Sequence, residues 1–193
     1  MPLLASLEKL LETVSVEDLT VSRICRAADI SRSTFYRQFD GIDHALEALF
    51  DSIVVEMVSA AQPWLSGEQS LIKPHLRSVF RAYLNHGPLM RAAADAELGH
   101  LTATSTKYRA MMEQWDTLVS ARLSASYPWV QDPDTVSHLL NAAGERIMYY
   151  DYGSGPTNVT LEQFEKTVNV VYRMWCSYLD LVPETEERER QHD

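Results

Sequence analysis

The sequence predicts an all-α protein of about nine helices, with a small bundle of three helices followed by a larger helical bundle. Apolar residues recur at intervals of three and four along most of the 193-residue chain, which is the spacing of one buried helix face. No segment shows the alternation of apolar and polar residues typical of a half-buried strand. Clusters of glycine and proline separate the apolar stripes, as expected for helices joined by short loops.

The composition is that of a globular protein with an acidic charge. Hydrophobic residues make up 46% of the chain and the net charge is -10, which taken alone argues against binding to nucleic acid. Between Leu19 and Phe39, however, four arginines oppose a single aspartate. The chain has neither an apolar run of about 18 residues nor the features of a signal peptide. We therefore expect a cytoplasmic protein without a membrane partner.

The N-terminal part of the chain predicts four helices. They cover approximately residues 3–14, 21–28, 32–39 and 44–61. Thr20, Ser31 and Asp43 are candidate N-caps, because a short side-chain oxygen can accept a hydrogen bond from a free amide of the first helical turn. Residues 15–18 break the first pattern, and Asp40–Gly41 ends the third.

Five further helices are predicted in the longer second part of the chain. They cover approximately residues 71–85, 89–98, 105–126, 136–150 and 161–178. Proline and glycine separate them, most clearly at residues 86–88 and 153–156. Thr160 and Gln163 form a capping-box pattern before the last helix. These boundaries divide the chain into an N-terminal bundle (residues 1–42), a body (residues 43–182) and a charged, flexible tail (residues 183–193).

The segment from Leu19 to Phe39 has the spacing of a helix-turn-helix, because two short helices are separated by a tight turn. Ile30 fills the turn. Phe35 and Phe39 are four residues apart and anchor the second helix to the core. The polar side chains of that helix therefore face outward. The alternative is an ordinary helical hairpin with aromatic anchors.

This outward surface has the chemistry needed to bind DNA. Arg32 and Arg37 can each donate a pair of hydrogen bonds to a guanine edge in the major groove. The hydroxyl of Tyr36 suits a phosphate oxygen, and side chains at the start of the preceding helix are expected to contact the phosphate backbone. The candidate DNA-binding residues are Thr20, Arg23, Ser31, Arg32, Ser33, Thr34, Tyr36 and Arg37.

The run T-V-x-x-I-x-x-A-A-x-I-S-x-x-T-F-Y-x-x-F, from Thr20 to Phe39, resembles the signature of the TetR family of transcription regulators. The resemblance covers approximately Leu3 to Phe50. It implies a repressor that binds a near-palindromic operator in double-stranded DNA as a homodimer. It also implies that a small effector, bound in the body, releases the repressor from the operator.

Three departures from the family pattern bear on DNA affinity. Asp29 stands in the turn where the family usually has glycine, a position at which aspartate is tolerated at some cost. Residues 41–43 lack the lysine that often contacts phosphate at the start of the fourth helix, for which His44 is a poor substitute. The basic N-terminal arm of many members is also absent. Fewer phosphate contacts predict weaker non-specific binding and a shallower salt dependence.

The body carries many methionine and aromatic residues, which either pack as core or form the wall of an apolar ligand site. Asn141 and Glu145 are four residues apart and share one face of the penultimate helix. They either line that site or make a structural hydrogen bond. The candidate ligand-binding residues are Phe80, Tyr83, Tyr108, Met111, Met112, Trp115, Asn141, Glu145, Met148, Tyr149, Tyr152 and Trp175.

Residues 139–146 and 111–115, together with Trp175, are similar to the ethionamide-resistance repressor branch of the family. That branch has a long apolar channel through the body. Gly144 stands where the branch has a second asparagine, so we expect an amide contact to the ligand to be lost. The resemblance also implies that the last two helices of each subunit form a four-helix dimer interface. The positions matching the channel are Met112, Trp115, Asn141, Glu145, Met148, Tyr149 and Trp175.

Other chemistries find little support in the sequence. Glu97 and His100 have the spacing of helical di-iron ligands, but no second copy of the motif occurs. Cys25 and Cys176 lie in apolar helical patterns and are expected to be buried, reduced thiols, the alternatives being a disulfide, a metal pair or a redox sensor. No hydrolase or nucleotide-binding motif is present. We expect neither an enzyme nor a cofactor.

The alternative to a repressor is a helical dimer that binds a small molecule without meaningful DNA affinity.

Overall fold

The computed structural model describes residues 2–67, 71–99 and 103–181, which form nine α-helices, a short 3₁₀-helix at residues 156–158 and no β-strand. The prediction of an all-α protein is therefore confirmed. The charged tail at 183–193 and the side chains of Glu97 and His100 lie outside the described residues. The helices are α1 (Pro2–Leu11), α2 (Val21–Ala27), α3 (Arg32–Tyr36), α4 (Ile42–Leu65), α5 (Ile72–Asn85), α6 (Gly87–Gly99), α7 (Ala103–Ser126), α8 (Pro133–Tyr152) and α9 (Leu161–Tyr178).

The N-terminal bundle consists of α1, α2 and α3 packed around an apolar core. Leu7, Ile24 and Phe35, one from each helix, are fully buried. Phe39 is also buried, and its ring centroid lies 5.9 Å from that of Phe35. Cys25 is a buried free thiol in this core. The aromatic pair predicted from the four-residue spacing thus holds α3 against the bundle.

Several helix ends differ from the sequence prediction. The first helix ends at Leu11 instead of Val14, and the third ends at Tyr36 instead of Phe39. Asp43 was predicted to cap the fourth helix, but the N-cap is Gly41, which offers no side-chain hydrogen bond. The same helix continues beyond Ala61 because Trp64, in its last turn, is fully buried. The burial of this large ring offsets the cost of Pro63 inside the helix.

Helix α4 connects the N-terminal bundle to the body. It packs against α1, α5 and α7, and α7 in turn packs against α6 and α8. Lys107 of α7 donates to both carboxylate oxygens of Asp51 on α4, at 2.7 and 2.8 Å, and its ammonium lies 3.6 Å from Glu47. Helix α5 lies between α4, α8 and α9. One contiguous apolar core therefore extends from the N-terminal bundle into the body.

His86, between α5 and α6, makes a second link between the two parts. Its Nδ1 is hydrogen-bonded to Glu8 of α1, and its Nε2 lies 3.1 Å from an oxygen of Glu56 on α4. Burial acts to lower the pKa of His86, but hydrogen bonds and charge from the two glutamates raise it above its ordinary value. The protonated ring, which donates from both nitrogens, matches two carboxylate acceptors.

We expect the His86 link to stabilise the fold most at acidic pH. Because the pKa of His86 is raised on folding, its contribution is fully present below the ordinary pKa of about 6.5 and is lost as the pH rises through the folded-state pKa. His86→Gln should therefore reduce the free energy of unfolding more at about pH 6 than at about pH 9. Urea denaturation at both pH values measures this. His138→Gln, which removes an exposed histidine paired with Asp116, is the control, and an equal loss at both pH values for His86→Gln would contradict the expectation.

Asp29 generates a second stability prediction, because its φ of +51° places it in the left-handed region between α2 and α3. Glycine adopts this conformation without steric strain from Cβ. Asp29→Gly should raise the free energy of unfolding by about 0.5 kcal/mol, whereas Asp29→Ala should lower it by about 1 kcal/mol. Chemical denaturation of the three proteins gives both differences. A stabilising alanine would show that the turn is unstrained.

Candidate DNA-binding surface and ligand pocket

The side-chain hydroxyls of Thr20 and Ser31 cap the N-termini of the two helices of the helix-turn-helix, as the sequence predicted. The Arg23 amide donates to Thr20 Oγ1 at 3.2 Å, and the Thr34 amide donates to Ser31 Oγ at 3.1 Å. The hydroxyls of Ser33 and Thr34 lie 2.8 and 3.0 Å from that of Ser31. This cluster fixes the first turn of α3, and a capping hydroxyl that accepts from an amide can still donate its own hydrogen to a phosphate.

The arginines of the motif differ in how they are held. Arg32 of α3 donates to the hydroxyl of Ser22 on α2, so the first turns of the two helices lie within reach of one side chain. Arg23 donates to the carbonyl of Asp18 at 2.7 Å. Arg37 is exposed at the other end of α3. Tyr36 is 56% exposed, and its ring packs edge-on against Phe35 with centroids 5.4 Å apart.

All eight candidate DNA-binding residues therefore lie in or beside α2 and α3, seven of them exposed and Thr34 half-buried. The start of α4 adds no lysine or arginine to this surface. His44 accepts a hydrogen bond from the Asp40 amide at 3.2 Å, and its ring lies edge-on to Phe39. His44 thus supports the connection into α4, and the surface depends on arginines and hydroxyls.

A cavity of about 40 Å³ lies inside the body between α4, α5, α6, α7, α8 and α9. Its wall is mostly apolar. Nine of the twelve candidate ligand-binding residues line it, which brings together side chains from α5, α7, α8 and α9. They are Phe80, Tyr83, Met111, Met112, Trp115, Asn141, Glu145, Met148 and Trp175.

The other three candidates lie beside the cavity and do not line it. Tyr108 lies behind Glu145, to which its hydroxyl donates at 2.6 Å. Tyr149 points outward and donates to Asp95. Tyr152 is buried against Phe80 and Phe164, with ring centroids 6.2 and 5.9 Å away.

Asn141 lines the cavity. It also makes structural hydrogen bonds, which was the other role that the sequence analysis allowed for this residue. Its amide nitrogen donates to Asp116 of α7 at 2.8 Å and to Ser137 Oγ at 3.3 Å. The second oxygen of Asp116 lies 2.7 Å from His138 Nδ1. This network ties α8 to α7 and fixes the orientation of the Asn141 amide.

Sequence reasoning missed part of the cavity wall. The missed residues are Met57, His75, Leu76, Val79, Met90, Leu140 and Val171, and Gly144 lies at the channel position where the sequence predicted a lost amide contact. His75, Val79 and Tyr83 are four residues apart along α5, so this spacing could have placed them on one face. Met57 carried no comparable signal, because only the packing of α4 against the body brings it to the cavity.

Burial controls the ionisation of the two polar groups that α5 contributes. It lowers the pKa of His75 to about 3, so the imidazole is neutral near neutral pH. Burial also raises the pKa of Tyr83, and the negative charge of Glu145 raises it further. The cavity therefore presents an uncharged histidine and an uncharged phenol, with Glu145 as its acidic residue.

The fold and the exposed α3 surface resemble those of helix-turn-helix transcription regulators. Residues 3–49 match the family model described as "Bacterial regulatory proteins, tetR family". The chain is 25% identical over 179 residues to the HTH-type transcriptional regulator EthR of Mycolicibacterium smegmatis, covering 88% of this chain and 82% of that protein. The chain thus resembles transcription regulators of the TetR family, EthR among them, as the sequence motifs predicted.

Solved structures show the same fold at lower sequence identity. The TetR family transcriptional regulator PfmR from Thermus thermophilus superposes with a TM-score of 0.71 at 13% identity, covering 94% of this chain and 99% of that chain. A transcriptional regulator from Aquifex aeolicus gives 0.73 at 10% identity, covering 90% and 95%. Both proteins are described as transcriptional regulators. Among the described helices of this chain, none has the length and apolar character required to cross a bilayer.

Gly144 generates a prediction about the cavity wall. A Cβ added there would lie 3.7 Å from the ring of Phe80, which is an ordinary contact. Gly144→Ala should therefore raise the free energy of unfolding by about 1 kcal/mol, because alanine is the better residue inside a helix. The matched control is Gly153→Ala, which should destabilise, since its Cβ would lie 2.5 Å from the Tyr149 carbonyl oxygen. Urea denaturation measures both, and a loss of stability at residue 144 would contradict the described packing.

Proposed function

We propose that this protein is a ligand-responsive repressor, which binds a near-palindromic operator as a homodimer and is released by a small apolar effector. One observation carries the proposal. Helix α4 contributes Leu46 and Phe50 to the core close to the N-terminal bundle and Met57 to the cavity wall. A change of shape at the cavity can therefore alter the position of the N-terminal bundle. In this proposal residues 1–42 bind DNA and residues 43–182 bind the effector and form the dimer.

Recognition of the operator is assigned to α3, which enters the major groove. Arg32 and Arg37 would contact base edges, while Tyr36 and the hydroxyls at the helix starts would contact phosphates. The exposure of these side chains and the burial of Phe35 beneath them support the assignment. The remaining proposed contacts are Thr20, Arg23, Ser31, Ser33 and Thr34.

Entry of an effector requires the cavity to expand. Its volume of about 40 Å³ is far below the roughly 300 Å³ or more of a typical small-molecule site. Methionines on α4, α6, α7 and α8 form much of the wall, and their unbranched side chains can repack around a ligand. Met57 is the methionine of α4. Its displacement would tilt α4 and change the separation of the two DNA-binding bundles in a dimer.

Dimerisation is assigned to α8 and α9. Both helices expose large apolar side chains to solvent, among which Leu161 is 67% exposed. Two such helices from each subunit can form a four-helix bundle about a two-fold axis. A two-fold dimer would place its two α3 helices on successive major grooves of a near-palindromic site. The other exposed apolar residues of these helices are Leu139, Tyr150, Val170 and Tyr178.

Replacing Tyr36 and Arg37 by alanine should separate DNA binding from effector binding. The double variant should bind operator fragments at least about tenfold more weakly, because an arginine that contacts a base contributes about 1–3 kcal/mol. Its melting-temperature shift with an effector should equal that of the wild type. Gel shift and thermal denaturation measure the two properties. Arg26→Ala removes the same charge from the exposed side of α2 and should have a smaller effect.

The alternative function has a distinct outcome in the same experiment. If wild-type protein shifts no upstream fragment even at low salt, the repressor proposal is wrong. The net charge of -10 and the absence of lysine at residues 41–43 would then indicate a helical dimer that binds a small molecule without DNA affinity.

A further inference from the structure

Three buried polar atoms, all of residues that line the cavity, have no hydrogen-bond partner among the described residues. They are Nδ1 of His75, the hydroxyl of Tyr83 and Nε1 of Trp175. An unsatisfied buried polar group destabilises a folded protein and therefore calls for an explanation. All three atoms belong to residues that line one cavity, so a molecule bound there can satisfy them.

His75 is held firmly in this position. The residue is 3% exposed. Its ring stacks on Trp64 with centroids 4.4 Å apart and planes inclined by 25°, and the ring of Trp175 lies 6.3 Å away. Trp64 and Trp175 also contact each other, with centroids 5.9 Å apart, so His75 is one ring of a buried three-ring cluster and cannot turn its unsatisfied nitrogen toward solvent without breaking this packing.

His75 and Tyr83 are the first and the last residues of α5 that line the cavity. His75 and Tyr83 are eight residues apart on α5, which corresponds to about 12 Å along the helix axis. Leu76, Val79 and Phe80 line the cavity between them. Across from them, Gly144 of α8 brings no side chain to the wall. The arrangement suits an elongated apolar molecule with a polar group at the His75 end.

We propose that His75 determines the specificity of the effector site, and that the effector is an elongated, mainly apolar molecule whose uncharged polar group, such as a hydroxyl, hydrogen-bonds to His75 Nδ1. This inference depends on the proposed function, because it takes the cavity to be the effector site.

The electrostatics of the cavity favour an uncharged polar group over a carboxylate. Burial keeps His75 neutral, so it supplies no positive charge to an anion. Glu145, which also lines the cavity, would repel an anionic ligand. A neutral imidazole has one donor and one acceptor nitrogen, which a hydroxyl can match in either tautomer.

Three probes of similar length test the inference. They are n-decanol, n-undecane, which replaces the hydroxyl by a methyl group, and decanoate. Displacement of a fluorescent apolar dye gives their affinities for the wild type, His75→Phe and Leu76→Met. We expect His75→Phe to weaken decanol binding by about tenfold or more and to leave undecane within about twofold. Decanoate should bind the wild type at least about tenfold more weakly than decanol.

Two controls separate loss of the hydrogen bond from loss of structure. Phenylalanine keeps a ring against Trp64 and removes the unsatisfied nitrogen, so the melting temperature of His75→Phe should rise by about 3 °C. Leu76→Met changes a neighbouring apolar part of the wall and should leave the ratio of decanol to undecane affinity as in the wild type.

The outcomes distinguish this inference from the function on which it depends. If His75→Phe weakens the binding of decanol and undecane equally, or leaves decanol binding unchanged, the proposed role of His75 is wrong. The effector site itself would still stand. If the probes bind but never release the protein from operator DNA, the repressor function is wrong, but the role of His75 is not. Failure of every probe to bind the wild type would overturn the effector site and this inference together.

Discussion

The burial of one continuous apolar stripe on α4 is the constraint on which the rest of the structure depends. The stripe runs at helical spacing from Ala45, next to the N-terminal bundle, to Trp64 deep in the body. Because every turn of this 24-residue helix is packed, the helix can shift as a unit but cannot easily bend. The ion pairs of Lys107 with Glu47 and Asp51 tie the same helix to α7. In the proposed mechanism, a rearrangement of the cavity wall is therefore transmitted along α4.

The proposed DNA-binding surface belongs to a molecule whose net charge is negative, like that of DNA. With a net charge of -10, the chain gains little from long-range attraction to phosphate. The side chains of α2 and α3 compensate by being ordered before DNA arrives, since Arg32 is held by Ser22 and Tyr36 by Phe35. Ordered side chains lose less conformational entropy on binding. In such a protein, contacts to base edges supply a larger share of the affinity than they do in a strongly basic one.

The sequence predicted local features well and tertiary ones less completely. Thr20, Ser31 and the left-handed Asp29 depend on interactions within three residues, so the helix-turn-helix could be read directly from the chain. The cavity depends on which helices face one another. Met148 and Tyr149 were both assigned to it, but adjacent helical residues point about 100° apart. Only Met148 lines the cavity, whereas Met57 comes from α4, whose orientation toward the body the sequence did not reveal.

The described state of the cavity agrees with its proposed role as a switch. Gly144 in mid-helix and unsatisfied polar atoms at His75 and Tyr83 all reduce stability, and a purely structural core would have no reason to keep them. With about 40 Å³ of space, the cavity is nearly closed, so the proposed effector would have to separate apolar surfaces before it gained its own contacts. In the proposed mechanism the methionine side chains lower this cost, because they can change rotamer where branched side chains cannot. Operator DNA would favour the closed arrangement and must weaken effector binding by the same factor by which the effector weakens DNA binding.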